Sequence, residues 1–345
     1  MAKAKKQENP KEIILKKSQE ISGVKIKGYD FNKGADYEKI MDSFSTMGMQ
    51  GKNFSEAIQI IKEMINSKSF IYLGYTSSMV TSGLRDIFRF LAEKKKIDVI
   101  VTTVGGIEED VIKCLGDFIL GDFKANGKEL REKGINRAGN IFIPNSRYIS
   151  FEEFVLPVLE EIYKEQKKTG KIVSPSELIW KLGEKINDKN SICYWAYRNK
   201  IPIFCPAIGD GSLGDMIYFF KSNHQDFKLD IVEDIWKLNN TSLGREKTGM
   251  IILGSGVVKH SICNANLFRN GADYAIYIND AYEETGSDSG ASPDEAVSWG
   301  KISGKGKSTK IFGDAILLFP FLVAKTFAIV LSRTNMRKTF AINDR

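Results

Sequence analysis

The residues Met250-Ile-Ile-Leu-Gly-Ser-Gly-Val-Val-Lys-His260 suggest what kind of fold this chain adopts. Four apolar residues are followed by Gly254-Ser-Gly256 and then by a segment of helical character. This order is typical of a buried strand that leads into a helix in an α/β protein. Glycines at such a turn let a backbone approach a phosphate group at the helix N-terminus. The full Gly-x-Gly-x-x-Gly pattern is absent because residue 259 is lysine, so a plain tight turn explains this segment equally well.

Similar apolar runs recur along the chain. Runs rich in Ile, Val, Phe and Tyr predict buried strands at residues 70–73, 99–101, 141–143, 201–205, 250–253 and 274–278. Helical periodicity separates most of them, at residues 80–95, 151–166 and 175–185, the last with Ser174 as its N-cap. This alternation predicts an α/β fold with a mostly parallel, Rossmann-like sheet and helices on both faces.

The residues that follow five of these strands are rich in Gly, Ser, Thr or Asp. They are residues 74–78, 102–109, 209–215, 254–256 and 279–280. Because ligands of parallel sheets bind beyond the carboxyl ends of the strands, these segments predict one shared rim and favour a dinucleotide site. Gly306-Lys307-Ser308 lacks the leading glycine of a phosphate loop, so residues 303–310 are predicted to form a polar surface turn.

Length and composition indicate an ordinary globular protein. The chain has 345 residues, 42% hydrophobic and 27% charged, which suits a single large domain at residues 21–345 after a lysine-rich tail at residues 1–20. The net charge of +7 has no basic stripe interleaved with aromatics, so we expect no nucleic-acid partner. We also expect no membrane segment and a cytoplasmic location. Four cysteines without a Cys-x-x-Cys pair and two histidines predict free thiols and no metal site.

An acidic stretch stands out against this basic average. Residues 280–295 contain six carboxylates and no Lys or Arg, and Trp299 and Lys301 follow shortly. A solvated loop would explain the carboxylates alone. Carboxylates beside an indole face also suit an organic cation, of which a polyamine is the simplest.

Lys301 and His260 are the candidate reactive residues. Most lysines are solvated, but a lysine that forms an imine must present a neutral amine, which burial favours and nearby carboxylates oppose. The sequence leaves this balance open. His260 lies six residues after Gly254 and is a candidate for proton transfer, although a lone histidine is more often structural.

Several longer motifs resemble those of deoxyhypusine synthases. They are Asp210-Gly-Ser-Leu-Gly-Asp-Met216, the residues 254–260, 264–274 and 286–291, and Pro293-Asp-Glu-Ala-Val-Ser-Trp-Gly-Lys301. Gly74-Tyr-Thr-Ser77, residues 102–110 and residues 127–136 extend the resemblance, which covers roughly residues 20 to 330 in the order of that family.

The resemblance implies an NAD-dependent transferase in hypusine biosynthesis. Such enzymes oxidise spermidine, pass its aminobutyl group to an active-site lysine, and deliver it to a lysine of the translation factor 5A precursor. Matched by position, Lys301 is the imine-forming lysine and His260 a proton acceptor. The spermidine-binding positions are His260, Asp215, Asp288, Glu295 and Trp299. The NAD-contacting positions are Ser77, Thr81, Thr103, Val104, Gly105, Glu108, Glu109, Asp210, Gly254, Gly256, Asp280, Thr285, Asp314 and Ala315.

The chain also departs from the family pattern. Ser78 stands where Asn is usual, Ser255 replaces a glycine, and Asp280 and Thr285 stand where Thr and Asp are usual. A catalytically silent regulatory paralogue therefore stays open as an alternative. Two further alternatives do not depend on these departures: a homospermidine synthase, with putrescine as acceptor, and an ordinary NAD dehydrogenase or sensor. The resemblance further implies a homotetramer with sites at a dimer interface, and an N-terminal helix, anchored here by residues 13–15, that covers a neighbour's site.

Overall fold

The computed structural model describes residues 9–328, and within this range the strands form two sheets. In chain order the strands are β1 (Phe70–Tyr75), β2 (Val99–Thr102), β3 (Ile119–Leu120), β4 (Ile135–Ala138), β5 (Ile141–Pro144), β6 (Ile203–Phe204), β7 (Thr248–Leu253), β8 (Ala272–Asn279) and β9 (Ile302–Phe312). Six of them form a parallel sheet in the order β6-β2-β1-β7-β8-β9. Counted within this sheet alone, the order is 3-2-1-4-5-6, as in the Rossmann fold.

The α-helices fill most of the connections between these strands. They are α1 (Pro10–Ile14), α2 (Tyr37–Ser43), α3 (Met49–Asn66), α4 (Ser78–Thr81), α5 (Arg85–Glu93), α6 (Gly105–Leu115), α7 (Gly127–Glu132), α8 (Asn145–Thr169), α9 (Pro175–Ile186), α10 (Ile192–Asn199), α11 (Ser212–Asn223), α12 (Ile231–Asn240), α13 (Val257–Leu267), α14 (Pro293–Ser298) and α15 (Ala315–Lys325). Short 3₁₀ helices lie at Phe31–Lys33, Phe44–Thr46 and Glu283–Thr285.

Alternating side chains of the sheet build two hydrophobic clusters, one on each face. On β7, Ile251 and Leu253 belong to one cluster, and Met250 and Ile252 belong to the other. The first cluster, on what we call face 1, includes residues of α3, α5, α6, α8 to α11 and α15, whereas the second, on face 2, includes residues of α12, α13 and α14. Strands buried on both sides read as continuous apolar runs, which is why the sequence predicts them well. The α/β prediction with helices on both faces is confirmed.

Residues 303–310 are not a surface turn, so that prediction is wrong. They lie in β9, the edge strand of the parallel sheet, where Tyr274 of β8 is aligned with Lys307 and Ile278 with Ile311. Towards the end of β9 the alternate side chains Thr309 and Ile311 are buried, and their neighbours are half-buried or exposed. An edge strand of this kind lacks the apolar run by which buried strands are recognised.

Two further elements differ from the prediction. The strand at residues 141–143 pairs antiparallel with β3 and β4 in a separate sheet, because the turn between β4 and β5 is too short for a parallel crossover. The helix predicted at residues 80–95 is divided into α4 and α5, and Gly83 between them has φ +112°, a conformation outside the helical range.

Local predictions at the helix ends and cysteines are confirmed. Ser174 and Glu177 form a capping box at the start of α9, and the four cysteines are free thiols. The helix α1 is short and exposed, residues 15–20 of the N-terminal tail are exposed as well, and residues 1–8 and 329–345 lie outside the described residues. Within residues 9–328 no helix combines the length and apolarity needed to cross a membrane, and no group of three or more His, Cys, Asp or Glu side chains could hold a metal ion.

Candidate active site

The carboxyl ends of the parallel strands meet at one edge of the sheet, which we call the rim. Strand order reverses between β1 and β7, the switch point at which open α/β sheets bind ligands. Helices α6 and α13 begin at the rim, and neither has a side-chain cap. The first N–H groups of α13 are therefore available to an anion such as a pyrophosphate, whereas in α6 the N–H groups of Gly106 and Ile107 donate to the carbonyls of Thr103 and Val104. The predicted sharing of one rim by five strand ends is confirmed.

Glycines allow the backbone segments of the rim to approach closely. Gly254 has φ +78°, and a Cβ atom there would lie 2.7 Å from Oγ1 of Thr76. A Cβ atom at Gly105 would lie 2.4 Å from Cβ of Ser77. Larger residues would push β1 away from α6 and α13. This narrow, glycine-lined space fits the backbone approach that a dinucleotide requires.

Hydroxyl groups and a carboxylate form a connected cluster between β1 and β2. The Ser77 N–H donates to Oγ1 of Thr103 at 2.9 Å, and the Thr81 hydroxyl lies within hydrogen-bond distance of the Glu109 carboxylate. Burial raises the pKa of Glu109 to about 7, the Thr81 bond opposes this rise, and the neighbouring Glu108 adds to it. Glu109 is therefore close to half protonated at neutral pH and can donate to or accept from a ligand hydroxyl.

Glu108 connects this cluster to the acidic start of α11. Its carboxylate accepts from the Leu213 N–H at 2.7 Å and so caps α11. Burial raises the pKa of Glu108, the N–H groups of α11 oppose the rise, and Asp215 and Asp210 add to it. These two aspartates are exposed and make no ion pair with any described residue, so their carboxylates are free for a cationic ligand.

The remaining predicted cofactor positions lie where β8 and β9 end. The Gly313 N–H donates to the Asn279 carbonyl at 3.1 Å and brings the two strand ends together. Asp314 caps α15 by accepting from the Ile316 N–H at 2.7 Å. The Thr285 hydroxyl donates to the Tyr282 carbonyl at 3.0 Å. Asp280 and Asp314 are exposed, and Ala315 is buried, at this end of the rim.

The second part of the site is the Lys301 group, which consists of His260, Asp288, Glu295, Trp299 and Lys301. Nδ1 of His260 lies 3.5 Å from Oδ1 of Asp288. Nζ of Lys301 lies 5.7 Å from the centre of the Trp299 ring. Trp299 is 65% exposed. An imidazole paired with a carboxylate can accept a proton, and an exposed indole face attracts a cation.

The Lys301 group extends along helix α13. His260 lies in the first turn of α13, close to the rim. Lys301 precedes β9, and its carbonyl accepts from the N–H of Ala272, the first residue of β8. The eight residues of β8 span about 23 Å, so the main chain of Lys301 lies near the opposite edge of the sheet. Its side chain reaches back towards the middle of α13, where its charge opposes the rise that burial causes in the pKa of Cys263.

Asp215 and the Lys301 group lie on different faces of the sheet. Asp215 belongs to α11, whose Leu213 and Met216 pack in the cluster of face 1. The Lys301 group is carried by α13, α14 and their neighbouring loops on face 2. Among the described residues, no hydrogen bond or ion pair joins Asp215 to the group. One chain therefore presents two separate acidic surfaces.

Three charged residues outside the predicted site hold elements that carry site residues. Lys259 and Lys310 are bound to the loop that carries Asp288. Asp110 is fully buried, and its carboxylate accepts from Nε of Arg85 at 2.7 Å and from the Ser191 hydroxyl at 2.7 Å. No sequence pattern indicates these roles, although Lys259 and Asp110 fall within the motifs at residues 254–260 and 102–110.

Comparison with known proteins identifies one family. Its sequence profile, described as deoxyhypusine synthase, matches residues 39–326. The deoxyhypusine synthase of Senecio vernalis is 47% identical over 95% of this chain and 96% of its own length. That of Arabidopsis thaliana is 46% identical over 94% of this chain and 96% of its own length. A crystal structure from Entamoeba histolytica, provisionally assigned as a deoxyhypusine synthase, is 36% identical, has a TM-score of 0.67, and matches over 88% of this chain and 97% of that one.

Proposed function

Because this chain belongs to the deoxyhypusine synthase family, we propose that it transfers the aminobutyl group of spermidine to a lysine of the translation factor 5A precursor, with NAD as cofactor. Membership of the family makes the chain an enzyme of the transferase class. The observation that carries the finer proposal is that the Lys301 ammonium lies beside the Trp299 ring after α14, while His260 of α13 faces the Asp288 carboxylate in the loop before α14.

The side chains of the Lys301 group have distinct proposed roles. Asp288 and Glu295 hold the ammonium groups of spermidine, and Trp299 attracts the same cation through its ring. NAD, when bound at the rim, supplies the oxidation of spermidine beside its secondary amine and the later reduction of the product. His260 accepts the proton that leaves as Lys301 becomes a neutral amine. Nζ of Lys301 then attacks the oxidised carbon, 1,3-diaminopropane leaves, and the acceptor lysine displaces Lys301 from the imine.

The proposed assembly is a homotetramer in which two copies share each active site. The support is that Asp215 and the Lys301 group, which the family resemblance assigns to one spermidine, lie on opposite faces of a single chain. The exposed Trp299 also leaves the Lys301 group open to solvent until a second copy covers it. No nucleic acid or membrane is part of the proposal. We propose a cytoplasmic location, since the acceptor is a translation factor and the cysteines are free thiols.

The first experiment replaces the proposed nucleophile. The wild-type protein, incubated with NAD and spermidine and then treated with borohydride, should carry an aminobutyl group on Lys301. The variant Lys301→Arg should bind NAD with unchanged affinity and should show no such adduct, because a guanidinium stays protonated and forms no imine. Lys305→Arg, an exposed lysine of β9 four residues away, is the matched control and should behave as the wild type. Full activity of Lys301→Arg would contradict the proposal.

The same assay separates the alternatives. If the purified chain releases no 1,3-diaminopropane until a second synthase is added, it is a silent regulatory subunit. If NADH accumulates over many turnovers, it is an ordinary dehydrogenase. If putrescine replaces the protein as the preferred acceptor, it is a homospermidine synthase.

A further inference from the structure

The loop that joins β8 to α14 is held by two lysines that the proposed mechanism does not use. This acidic loop, residues 280–292, carries Asp280, Glu283, Glu284 and Asp288. Its main chain accepts hydrogen bonds from Lys259 of α13 and from Lys310 of β9. The two lysines approach from different elements and bind different parts of the loop.

Lys310 closes the neck of the acidic loop. Its ammonium donates to the Ala281 carbonyl at 2.9 Å and to the Gly290 carbonyl. The two ends of the loop are in contact at this point, because a Cβ atom at Gly290 would lie 1.8 Å from the Tyr282 carbonyl oxygen. Only glycine permits this approach, so the loop has a fixed neck and a projecting acidic tip.

Lys259 holds the part of the loop that carries Asp288. It is 2% exposed, and its ammonium donates to the Asp288 carbonyl at 2.5 Å and to the Ala291 carbonyl at 2.8 Å. The ammonium also lies 4.7 Å from the centre of the Tyr277 ring. Burial lowers the pKa of Lys259, and the nearby Asp288 charge opposes this. A buried ammonium is costly unless hydrogen bonds compensate it, and here loop carbonyls provide them.

Both lysines bind carbonyl oxygens and leave the carboxylates free. Within residues 9–328, neither Lys259 nor Lys310 has a carboxylate oxygen within the 4.0 Å of an ion pair. The loop carboxylates thus remain available to a ligand, while two positive charges beneath them offset their mutual repulsion. Two consecutive residues of α13 contact Asp288. Lys259 donates to its main-chain carbonyl, and His260 faces its side-chain carboxylate at 3.5 Å.

We propose that Lys259 and Lys310 are positioning residues that fix the acidic loop, so that Asp288 faces His260 and the polycationic substrate. This inference rests on the proposed function for its substrate and on the described hydrogen bonds for its geometry. The lysines act mainly on the polyamine, because the glycine-rich part of the rim follows β1, β2 and β7, which neither lysine contacts through a hydrogen bond. Of the positions that the family resemblance assigns to NAD, only Asp280 and Thr285 lie in the acidic loop.

The test removes each ammonium and keeps an unbranched apolar side chain that reaches as far as Cε. In Lys259→Met and Lys310→Met, the KM for spermidine should rise about tenfold or more, whereas the Kd for NAD should rise clearly less, because most of the NAD-contacting positions lie outside the loop. Amide hydrogen exchange of residues 281–291 should accelerate, and that of β7 should not. Lys307→Met is the matched control, because Lys307 also lies on β9 but binds Glu63 at 2.7 Å instead of the loop.

The outcomes separate this inference from the proposed function. If the wild type releases no 1,3-diaminopropane, the proposed function fails, and hydrogen exchange still tests whether Lys259 and Lys310 fix the acidic loop. If the wild type is active but both variants keep its KM for spermidine and its exchange pattern, the positioning role of the two lysines is refuted. An equal loss of NAD and spermidine binding would also refute it, because a general structural defect would then be the cause. If Lys259→Met does not fold, Lys310→Met on the edge strand decides the result alone.

Discussion

At the scale of single residues, Glu109 and Asp110 show how neighbouring carboxylates can have different environments. Asp110 is fully buried, but Arg85, the Ser191 hydroxyl and two backbone N–H groups compensate its charge. Glu109 lies at the rim, and the Thr81 hydroxyl is the one described partner of its carboxylate. Burial therefore raises the pKa of Glu109 to about 7.

This pKa gives a pH dependence with a definite sign. The carboxyl group in the unfolded chain has an ordinary pKa of 4.5, whereas the folded one keeps its proton until about pH 7. The native state therefore binds more protons between these values, and stability falls as pH rises through this window. Glu109→Gln stays neutral in both states, so it should be more stable than the wild type at pH 8, by an amount on the order of 3 kcal/mol, and similar near pH 4.5.

Urea unfolding of both proteins at several pH values between 4.5 and 8 measures this difference. The gap in the free energy of unfolding should widen with pH and level off above about pH 7. A gap that stays constant with pH would show that Glu109 titrates normally in the folded protein.

At the scale of elements, the capping box of α9 is a local device that the sequence already contains. The Ser174 hydroxyl accepts from the Glu177 N–H at 3.4 Å, and the Glu177 carboxylate accepts from the Ser174 N–H at 2.9 Å. Both partners belong to the helix end, so the stabilisation requires no distant contact.

Ser174→Ala should lower the free energy of unfolding by about 1–2 kcal/mol, because it removes the acceptor at the N-cap. Ser222→Ala, an exposed serine in the last turn of α11, is the control and should change stability by less than about 0.5 kcal/mol. Thermal or urea unfolding measures both. Equal effects of the two substitutions would show that the capping box contributes nothing specific.

At the scale of the whole molecule, the separation of Asp215 from the Lys301 group gives a test of site sharing. If each site uses Asp215 of one copy and the Lys301 group of another, two inactive variants can complement each other. Co-expressed Asp215→Asn and Lys301→Ala chains should recover about a quarter of wild-type activity, since half of the dimers are mixed and each mixed dimer has one intact site.

The control pairs two variants within the same group. His260→Ala with Lys301→Ala should recover no activity, because every site then lacks one of these residues. The measurement is 1,3-diaminopropane release by the mixed and the separately purified proteins. Equal inactivity of the test and control pairs would contradict the shared site.

The sequence by itself determined the elements whose causes are local or strongly periodic. Apolar runs identified the buried strands of the parallel sheet, Ser174 identified a helix start, and the glycines after β1, β2 and β7 identified the rim. The long motifs around His260 and Lys301 identified the family, and the structure places the Lys301 group on α13, on α14 and in the loops on either side of α14.

Only the tertiary structure decided features that depend on contacts between distant residues. Strand β9 is polar, and its pairing with β8 makes it a strand. The pKa of Glu109 follows from its burial, and the binding of Lys259 and Lys310 to loop carbonyls follows from the fold of residues 281–291. The placement of Asp215 and Lys301 on opposite faces depends on the crossover helices. A linear pattern records which side chains are available, but desolvation and long-range hydrogen bonds depend on which residues folding brings together.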